Sequence, residues 1–284
     1  MIETSADTVQ RGDRAGSFAE ERHQRILSLL SERGRVRNSD LAALLDVAEP
    51  TMRRDIADLA RQGKLTRTHG GAIAMRPQFE PDLPMRIGRN AVGKSAIARA
   101  CLAMISDGDA VYLDAGSTIL RLAEYLAEDS PDLARPRNVN VLTNAMPVAQ
   151  TLAQRGDTRH TVIGGSFRPV GACFVGPLAI QSLTSFTVNV AFIGVTGWTE
   201  SGFSVSDLAE AQVKAAAMQI ARRVVVAMDV SKVGASDFAR VCGLDEATTV
   251  VIDAPNEYLL KIAAKAGVEV VVAGDPVENM KGSN

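Results

Sequence analysis

NSDLAALLDVAEPTMRRDIADLARQGKLTRTHGGA, residues 38–72, is the stretch on which the reading of the chain turns. Asn38 or Ser39 can cap a short helix with Leu41, Leu44 and Leu45 on one face. A tight turn follows over Asp46–Glu49. Pro50 suits the first position of the next helix, in which Met52, Ile56 and Leu59 recur at helical spacing and Gly63 closes the run. The segment KLTRTHGGAIA then reads as two short β segments about a Gly70-Gly71 turn. Upstream, Ile26, Leu27, Leu29 and Leu30 form a helical stripe ending near Gly34. Three short helices with a tight turn before the third, then a glycine-tipped hairpin, are the parts of a winged helix-turn-helix, assigned here to residues 17–75.

An α-helix fits the major groove of DNA, so the third helix of such a unit must bury one face and show polar, cationic groups on the other. Thr51, Arg53, Arg54 and Arg61 supply that outer face, and Arg67, Thr68 and His69 sit where a wing reaches phosphate or the minor groove. Asp55 falls on the opposite side and is expected to pair within the unit. Charge agrees: residues 17–76 hold 11 Lys and Arg against 8 Asp and Glu, whereas residues 77–284 hold 18 against 22. A basic segment on a chain of net charge −2 points to a polyanionic partner for that segment alone.

Outward from this unit, residues 1–16 lack apolar periodicity and read as a flexible lead-in, and RPQFEPDLP marks a linker over residues 76–89. Beyond it, helical patterns alternate with the apolar runs AVYLD, VNVLT, HTVIGG, VNVAFIGV, RVVVAMD, TTVVID and VEVVVAG. That alternation predicts an α/β domain over residues 90–274, built on a mainly parallel sheet with helices on both faces, and a tail over 275–284. With 46% hydrophobic and 23% charged residues in 284, the chain can bury a core without metals or disulfides. No apolar run is long enough for a membrane span and no signal-peptide core is present, so the expected location is the cytoplasm. Cys101, Cys173 and Cys242 lie far apart, form no metal spacing with the histidines and are expected to be reduced.

In doubly wound sheets ligands bind beyond the carboxyl ends of the strands. AVYLD runs into Asp114-Ala115-Gly116-Ser117-Thr118, gathering small residues, hydroxyls and helix N-terminal amides where an anion would sit. VNVLT runs into Thr143-Asn144, and HTVIGG ends in Gly164-Gly165, where backbone can approach a ligand. Arg86, Asn90 and Lys94 recur every four residues and share a face if one helix spans them. Glu210 with Lys214, and Asp229 with Lys232, are pairs that in isolation read as exposed ion pairs worth under about 1 kcal/mol.

Taken in order, these motifs resemble the DeoR family of bacterial sugar-metabolism regulators. TMRRDIADL and RTHGGA carry the likeness in the N-terminal part, and R-x3-N-x3-K, DAGST, LTNA, IGG, VGP, GVTGWTESGFSVSDLAEAQVK and MDVSKVG carry it beyond, over about residues 20–253. The sequence departs from the family pattern at Ala48-Glu49-Pro50, at Ala115, and at the residue before Asp253. The resemblance implies a fold related to ribose-5-phosphate isomerases and CoA transferases. It implies a repressor bound to double-stranded operator DNA as a homodimer or higher homo-oligomer, with a phosphorylated sugar as effector and no other cofactor. The effector-binding set is then Lys94, Asp114, Gly116, Ser117, Thr118, Thr143, Asn144, Gly164, Gly165, Glu210, Lys214 and Lys232. An isomerase-like reading stands beside it, with Asp114, Glu210 and Lys232 moving protons on a sugar phosphate. The fused DNA-binding unit and the lack of a distinct activated nucleophile favour the regulator.

Overall fold

The computed structural model describes residues 19, 22–30, 35–62, 64–68, 70–73, 81–129, 133–154 and 158–274. It divides into two compact units, Met1–Glu80 and Pro81–Asn284. The expectations for residues 1–16, for His69 and Gly63, and for the tail over 275–284 lie outside the described residues.

In the first unit, α1 (residues 22–30), β1 (Arg35–Arg37), α2 (Asn38–Leu44), α3 (Glu49–Arg61), β2 (Thr66–Thr68) and β3 (Gly71–Ile73) follow in order. Ile26, Leu30, Leu41, Met52, Ile56, Leu59 and Leu65 close one apolar core, each nearly free of solvent. The wing has three strands, ordered β1-β3-β2 and antiparallel throughout, where the sequence suggested two. β1 escaped notice because Arg35-Val36-Arg37 offers a single apolar residue and no alternation to read. Its closeness explains Gly71: a Cβ there would lie 1.9 Å from the Val36 carbonyl oxygen. Two capping expectations change. Arg37, not Asn38 or Ser39, stands at the N-cap of α2, without a side-chain cap. α3 starts at Glu49, which leaves Pro50 one position further in, where its missing N–H still costs nothing.

The second unit opens with α4 (Leu83–Gly88) and α5 (Ala91–Leu102), then β4 (Ala110–Leu113), α6 (Ser117–Ala127), β5 (Asn140–Thr143), α7 (Met146–Leu152) and β6 (Arg159–Val162). A hairpin of β7 (Ser166–Arg168) and β8 (Cys173–Val175) leads to α8 (Pro177–Leu183) and β9 (Val188–Gly194). Next come β10 (Gly197–Thr199), β11 (Gly202–Val205), α9 (Leu208–Gln219), β12 (Ala221–Ala227), β13 (Ala239–Cys242), β14 (Thr249–Ile252), α10 (Glu257–Ala266) and β15 (Glu269–Val272). Seven strands form one sheet ordered β15-β14-β12-β9-β4-β5-β6, parallel at every pairing. The α/β architecture is the expected one. Continuous apolar runs made central strands such as β9, β12 and β14 readable, because a strand covered on both faces has no polar face to alternate with. α5, α6 and α7 pack side by side, while α8 packs with α9, and both α5 and α9 lie against β12.

Of the span 76–89 expected as linker, residues 76–80 lie outside the described residues, and Leu83–Gly88 form α4. Asp82 caps α4 by accepting from Met85 N at 3.1 Å, Pro84 fits the first turn, and Leu83 is buried in the second unit's core. Prolines on either side of Leu83 read as linker composition, yet Pro84 stands where a helix tolerates it. The described cysteines are all free and buried, and no described helix is long and apolar enough to cross a membrane.

Candidate functional site

In the first unit, α3 turns Met52, Asp55, Ile56 and Leu59 inward and leaves Thr51, Arg53, Arg54 and Arg61 exposed. Asp55 accepts from Arg22 through Nε at 2.6 Å and Nη2 at 3.0 Å, with His23 Nε2 at 3.2 Å, so it ties α3 to α1. The outer cations differ in their company. Arg53 pairs with Glu49 at 2.8 Å and Arg61 with Asp58 at 2.5 Å, both along the helix. Arg54 has no such partner among the described residues. Thr66, Arg67 and Thr68 are exposed along β2, and Asn38 N donates to Gly70 O at 2.9 Å, fixing the wing's turn to the start of α2. Four of the seven candidates thus share one helix face, and Arg67 and Thr68 share one strand.

In the second unit the parallel sheet brings Asp114, Thr143, Gly194, Asp229 and Asp253 to the carboxyl ends of β4, β5, β9, β12 and β14. Asp114 is fully buried. Its Oδ2 accepts from Gly194 N at 3.0 Å and from Lys214 Nζ at 2.5 Å, while its Oδ1 is buried without a hydrogen-bond partner. Burial pushes the Lys214 ammonium down, but the Asp114 and Glu210 carboxylates outweigh it and hold the group above the ordinary lysine value. Glu210 does not pair with Lys214, although one turn separates them. Its Oε1 accepts instead from Arg168 Nη1 at 2.8 Å and from the Cys173 thiol at 3.5 Å. Both Glu210 and Lys214 are buried, so the exposed-pair reading fails.

Beside Asp114, Gly116 opens α6 at φ 133°, a conformation side chains resist, and no side chain caps the helix. The Ser117 and Thr118 hydroxyls have no hydrogen-bond partner among the described residues. Thr143 and Asn144 are otherwise committed. Thr143 Oγ1 donates to Leu113 O at 2.6 Å and accepts from Ala145 N at 3.0 Å. Asn144 accepts from Tyr112 OH at 2.9 Å and donates to Phe174 O at 3.0 Å. These two hold the loops. Gly165 does likewise: a Cβ on it would fall 2.6 Å from Val175 O, so its close approach is to backbone of the β7–β8 hairpin. Gly164 has open space around it.

Lys94 belongs to a second cluster. The helix expected to run from Arg86 breaks, because Asn90 takes φ 46° and caps α5 by accepting from Gly93 N at 3.2 Å. Arg86, Asn90 and Lys94 therefore do not share a helix face. The Lys94 ammonium, 7% exposed, reaches back and donates to the carbonyls of Arg86 and Arg89. Burial, with Lys232, Arg89 and Arg86 nearby, pushes it down to about 8 against the opposing pull of Asp229. Lys232 is half-buried on a 3-10 turn whose Asp229 accepts from Ser231 N at 3.2 Å. The Asp114–Lys214 pair and the Lys94 ammonium share no hydrogen bond or ion pair among the described residues. The strands beneath the two clusters, β4 and β12, are separated by β9, about 10 Å across two strand spacings.

Sequence reading missed Asp253, Gly194 and Arg168. Asp253 accepts from Asn90 Nδ2 and from Val230 N, each at 2.7 Å, and a Cβ on Gly93 would fall 2.3 Å from its Oδ2. Its place right after the VVI strand is the signal that could have found it. No group of three metal-ligating side chains occurs among the described residues.

Two family profiles match the chain: the DeoR-like helix-turn-helix domain over residues 22–78 and the DeoR C-terminal sensor domain over residues 89–254. The chain is 29% identical to the putative aga operon transcriptional repressor of Escherichia coli O157:H7, over 95% of this chain and 100% of that one. It is 30% identical to the HTH-type transcriptional repressor GlcR of Bacillus subtilis (strain 168), covering 90% of this chain and 96% of the relative. It is also 30% identical to the lactose phosphotransferase system repressor of Staphylococcus aureus (strain N315), covering 88% and 98%. Among solved structures, ribose 5-phosphate isomerase A of Methanocaldococcus jannaschii aligns with TM-score 0.37 and 18% identity, over 51% of this chain and 55% of that one.

Proposed function

The chain belongs to the DeoR family of transcriptional regulators, and from that premise we propose that it represses sugar-metabolism genes under control of a phosphorylated sugar. The relatives described above are named as repressors, which sets the regulator reading above the isomerase-like one. It acts on DNA and not as an enzyme, and operator DNA places that work in the cytoplasm. α3 enters the major groove with Thr51, Arg53, Arg54 and Arg61 outward, and Arg67, Thr68 and His69 contact the flanking backbone.

One observation carries the ligand half of the reading: the uncapped start of α6 stands beside a fully buried carboxylate with a free acceptor, Asp114 Oδ1. The α6 amides with the Ser117 and Thr118 hydroxyls suit a phosphate, and Lys94 and Lys232 of the second cluster add positive charge from the same carboxyl end of the sheet. Asp114 Oδ1 then accepts from a sugar hydroxyl. A buried acceptor left unpaired costs about 1 to 3 kcal/mol, so a sugar with a hydroxyl at that point gains over one without it. Thr143, Asn144, Gly165 and Lys214 shape this site from behind. The test is thermal shift of the full chain with a panel of sugar phosphates and their unphosphorylated parents, repeated with Ser117→Ala. Stabilisation by a phosphate ester alone, weakened in the variant, is the expected result; equal response to a parent sugar refutes the phosphate anchor.

A further inference from the structure

α9 carries Glu210 and Lys214 one turn apart, in the order that favours an ion pair along a helix, and both are buried. Each is paired elsewhere. Lys214 Nζ donates to Asp114 Oδ2 at 2.5 Å, just past β4, and Glu210 Oε1 accepts from Arg168 Nη1 at 2.8 Å, at the end of β7. Arg168 Nε also lies 3.3 Å from Asp207 Oδ2, and the other oxygen of Asp207 caps α9 by accepting from Glu210 N at 2.9 Å. The β7–β8 turn is shaped to this contact. Gly171 approaches so closely that a Cβ on it would lie 2.4 Å from Glu210 Oε1, and Ala172 beside it takes φ 49°, a left-handed conformation that side chains resist. The Cys173 thiol donates to the same oxygen at 3.5 Å.

We propose that Arg168 is a positioning residue of the ligand site: it neutralises Glu210, reserves Lys214 for Asp114, and so keeps Asp114 held through Oδ2 with Oδ1 as the open acceptor. Charge sets this arrangement and donor number does not, since the Lys214 ammonium has N–H groups to spare. With Arg168 in place, the two buried carboxylates each face their own cation. Without it, both face the single ammonium of Lys214, and a buried charge with no counter-charge is strongly disfavoured. The ammonium, one turn from Glu210, then moves to answer both. Its hold on Asp114 Oδ2 weakens, and with it the bond that the same oxygen accepts from Gly194 N at 3.0 Å. The orientation of Oδ1 is lost together with these bonds. This inference rests on the reading of Asp114 Oδ1 as the acceptor of a sugar hydroxyl, and it adds the residue that keeps that oxygen in place.

The Gly194 amide, whose proton lies on Asp114 Oδ2, is the reporter, followed by proton–nitrogen NMR of the full chain with no ligand present. A bond to a carboxylate is stronger and shorter than one to a neutral oxygen, so weakening it moves the amide proton upfield. Arg168→Met should produce that upfield shift. Arg168→Lys, which keeps the charge, should stay near the wild-type position. The decisive variant is Arg168→Met with Glu210→Gln, which removes the competing carboxylate along with its cation and should return the Gly194 signal toward wild type. A residue that merely braced the hairpin would leave the single Met variant and the double variant displaced alike, and that result overturns the proposal. So does a Gly194 signal unmoved by Arg168→Met, or one displaced as far by Lys as by Met. Should Arg168→Met fail to fold, Arg168→Gln, neutral but still a hydrogen-bond donor, supplies the same comparison alone and with Glu210→Gln. These measurements use no ligand, so they decide the role of Arg168 by themselves. A thermal-shift panel in which no sugar phosphate stabilises the chain strikes the ligand reading instead.

Discussion

Arg53 and Arg54 are neighbours on α3 in unlike settings. Arg53 is already engaged with Glu49, whereas Arg54 is unpaired among the described residues, so a DNA contact costs Arg54 no existing bond. Arg54→Ala should weaken operator binding by about 1 to 3 kcal/mol, the worth of a bidentate base contact. Arg53→Ala should cost less, because Arg53 must give up its bond to Glu49 to reach DNA and so contributes less net binding. Gel-shift titrations at one salt concentration compare them, and equal wild-type affinity in both removes α3 from the groove. Lys94 gives a second prediction at this scale. Its ammonium is pushed down to about 8, so it carries full charge only below that pH. Affinity for a phosphate ester should fall as pH rises through 8, by less than tenfold per unit because the Lys94 charge acts on the α6 site from the neighbouring cluster. Calorimetry between pH 7 and 9 measures the slope, which Lys94→Met should flatten. The partners behind these predictions were the least legible part of the sequence. Asp114 and Lys214 are separated by 100 positions, and no local spacing announces such a pair.

Among the elements, strands such as β9, β12 and β14 were legible as near-continuous apolar runs, and α3 because its stripe, proline and glycine agree. β1, the β7–β8 hairpin and the β10-β11-β13 sheet were not, since strands of three or four residues are too short for a period to emerge. α4 was hidden by Pro81 just before it and Pro84 in its first turn. The break between α4 and α5 rests on Asn90, which takes a left-handed conformation, caps Gly93 N and bonds Asp253. Asn90→Ala removes the cap and the link to Asp253 together, and should destabilise the second unit by about 1 to 2 kcal/mol. Asn90→Gly keeps the backbone conformation and should recover part of that loss. Denaturant melts of both variants decide it: an Asn90→Ala chain as stable as wild type would mean the α4–α5 junction does not depend on this residue. In the wing, Gly71→Ala should disturb the β1–β3 pairing and lower DNA affinity with it, since its Cβ would enter the Val36 carbonyl.

At the scale of the whole molecule, the net charge of the DNA-binding segment is small, with 11 cationic against 8 anionic residues over 17–76. A single copy makes few phosphate contacts, so tight binding calls for two copies on two half-sites and a steep linear fall of log K with log salt. A fragment ending before Arg76 should bind the operator far more weakly than the full chain, and equal affinity would contradict a role for the second unit in assembly. Under the proposed function, a phosphate anchored at the strand ends of the second unit governs DNA binding by the first. The most direct measurement is fluorescence anisotropy of the full chain on labelled operator, titrated with sugar phosphates and with each unphosphorylated parent. One phosphate ester should weaken binding by about tenfold or more, its parent sugar should do nothing at the same concentration, and Ser117→Ala should blunt the response. Release by the parent sugar as readily as by its phosphate ester would contradict that function.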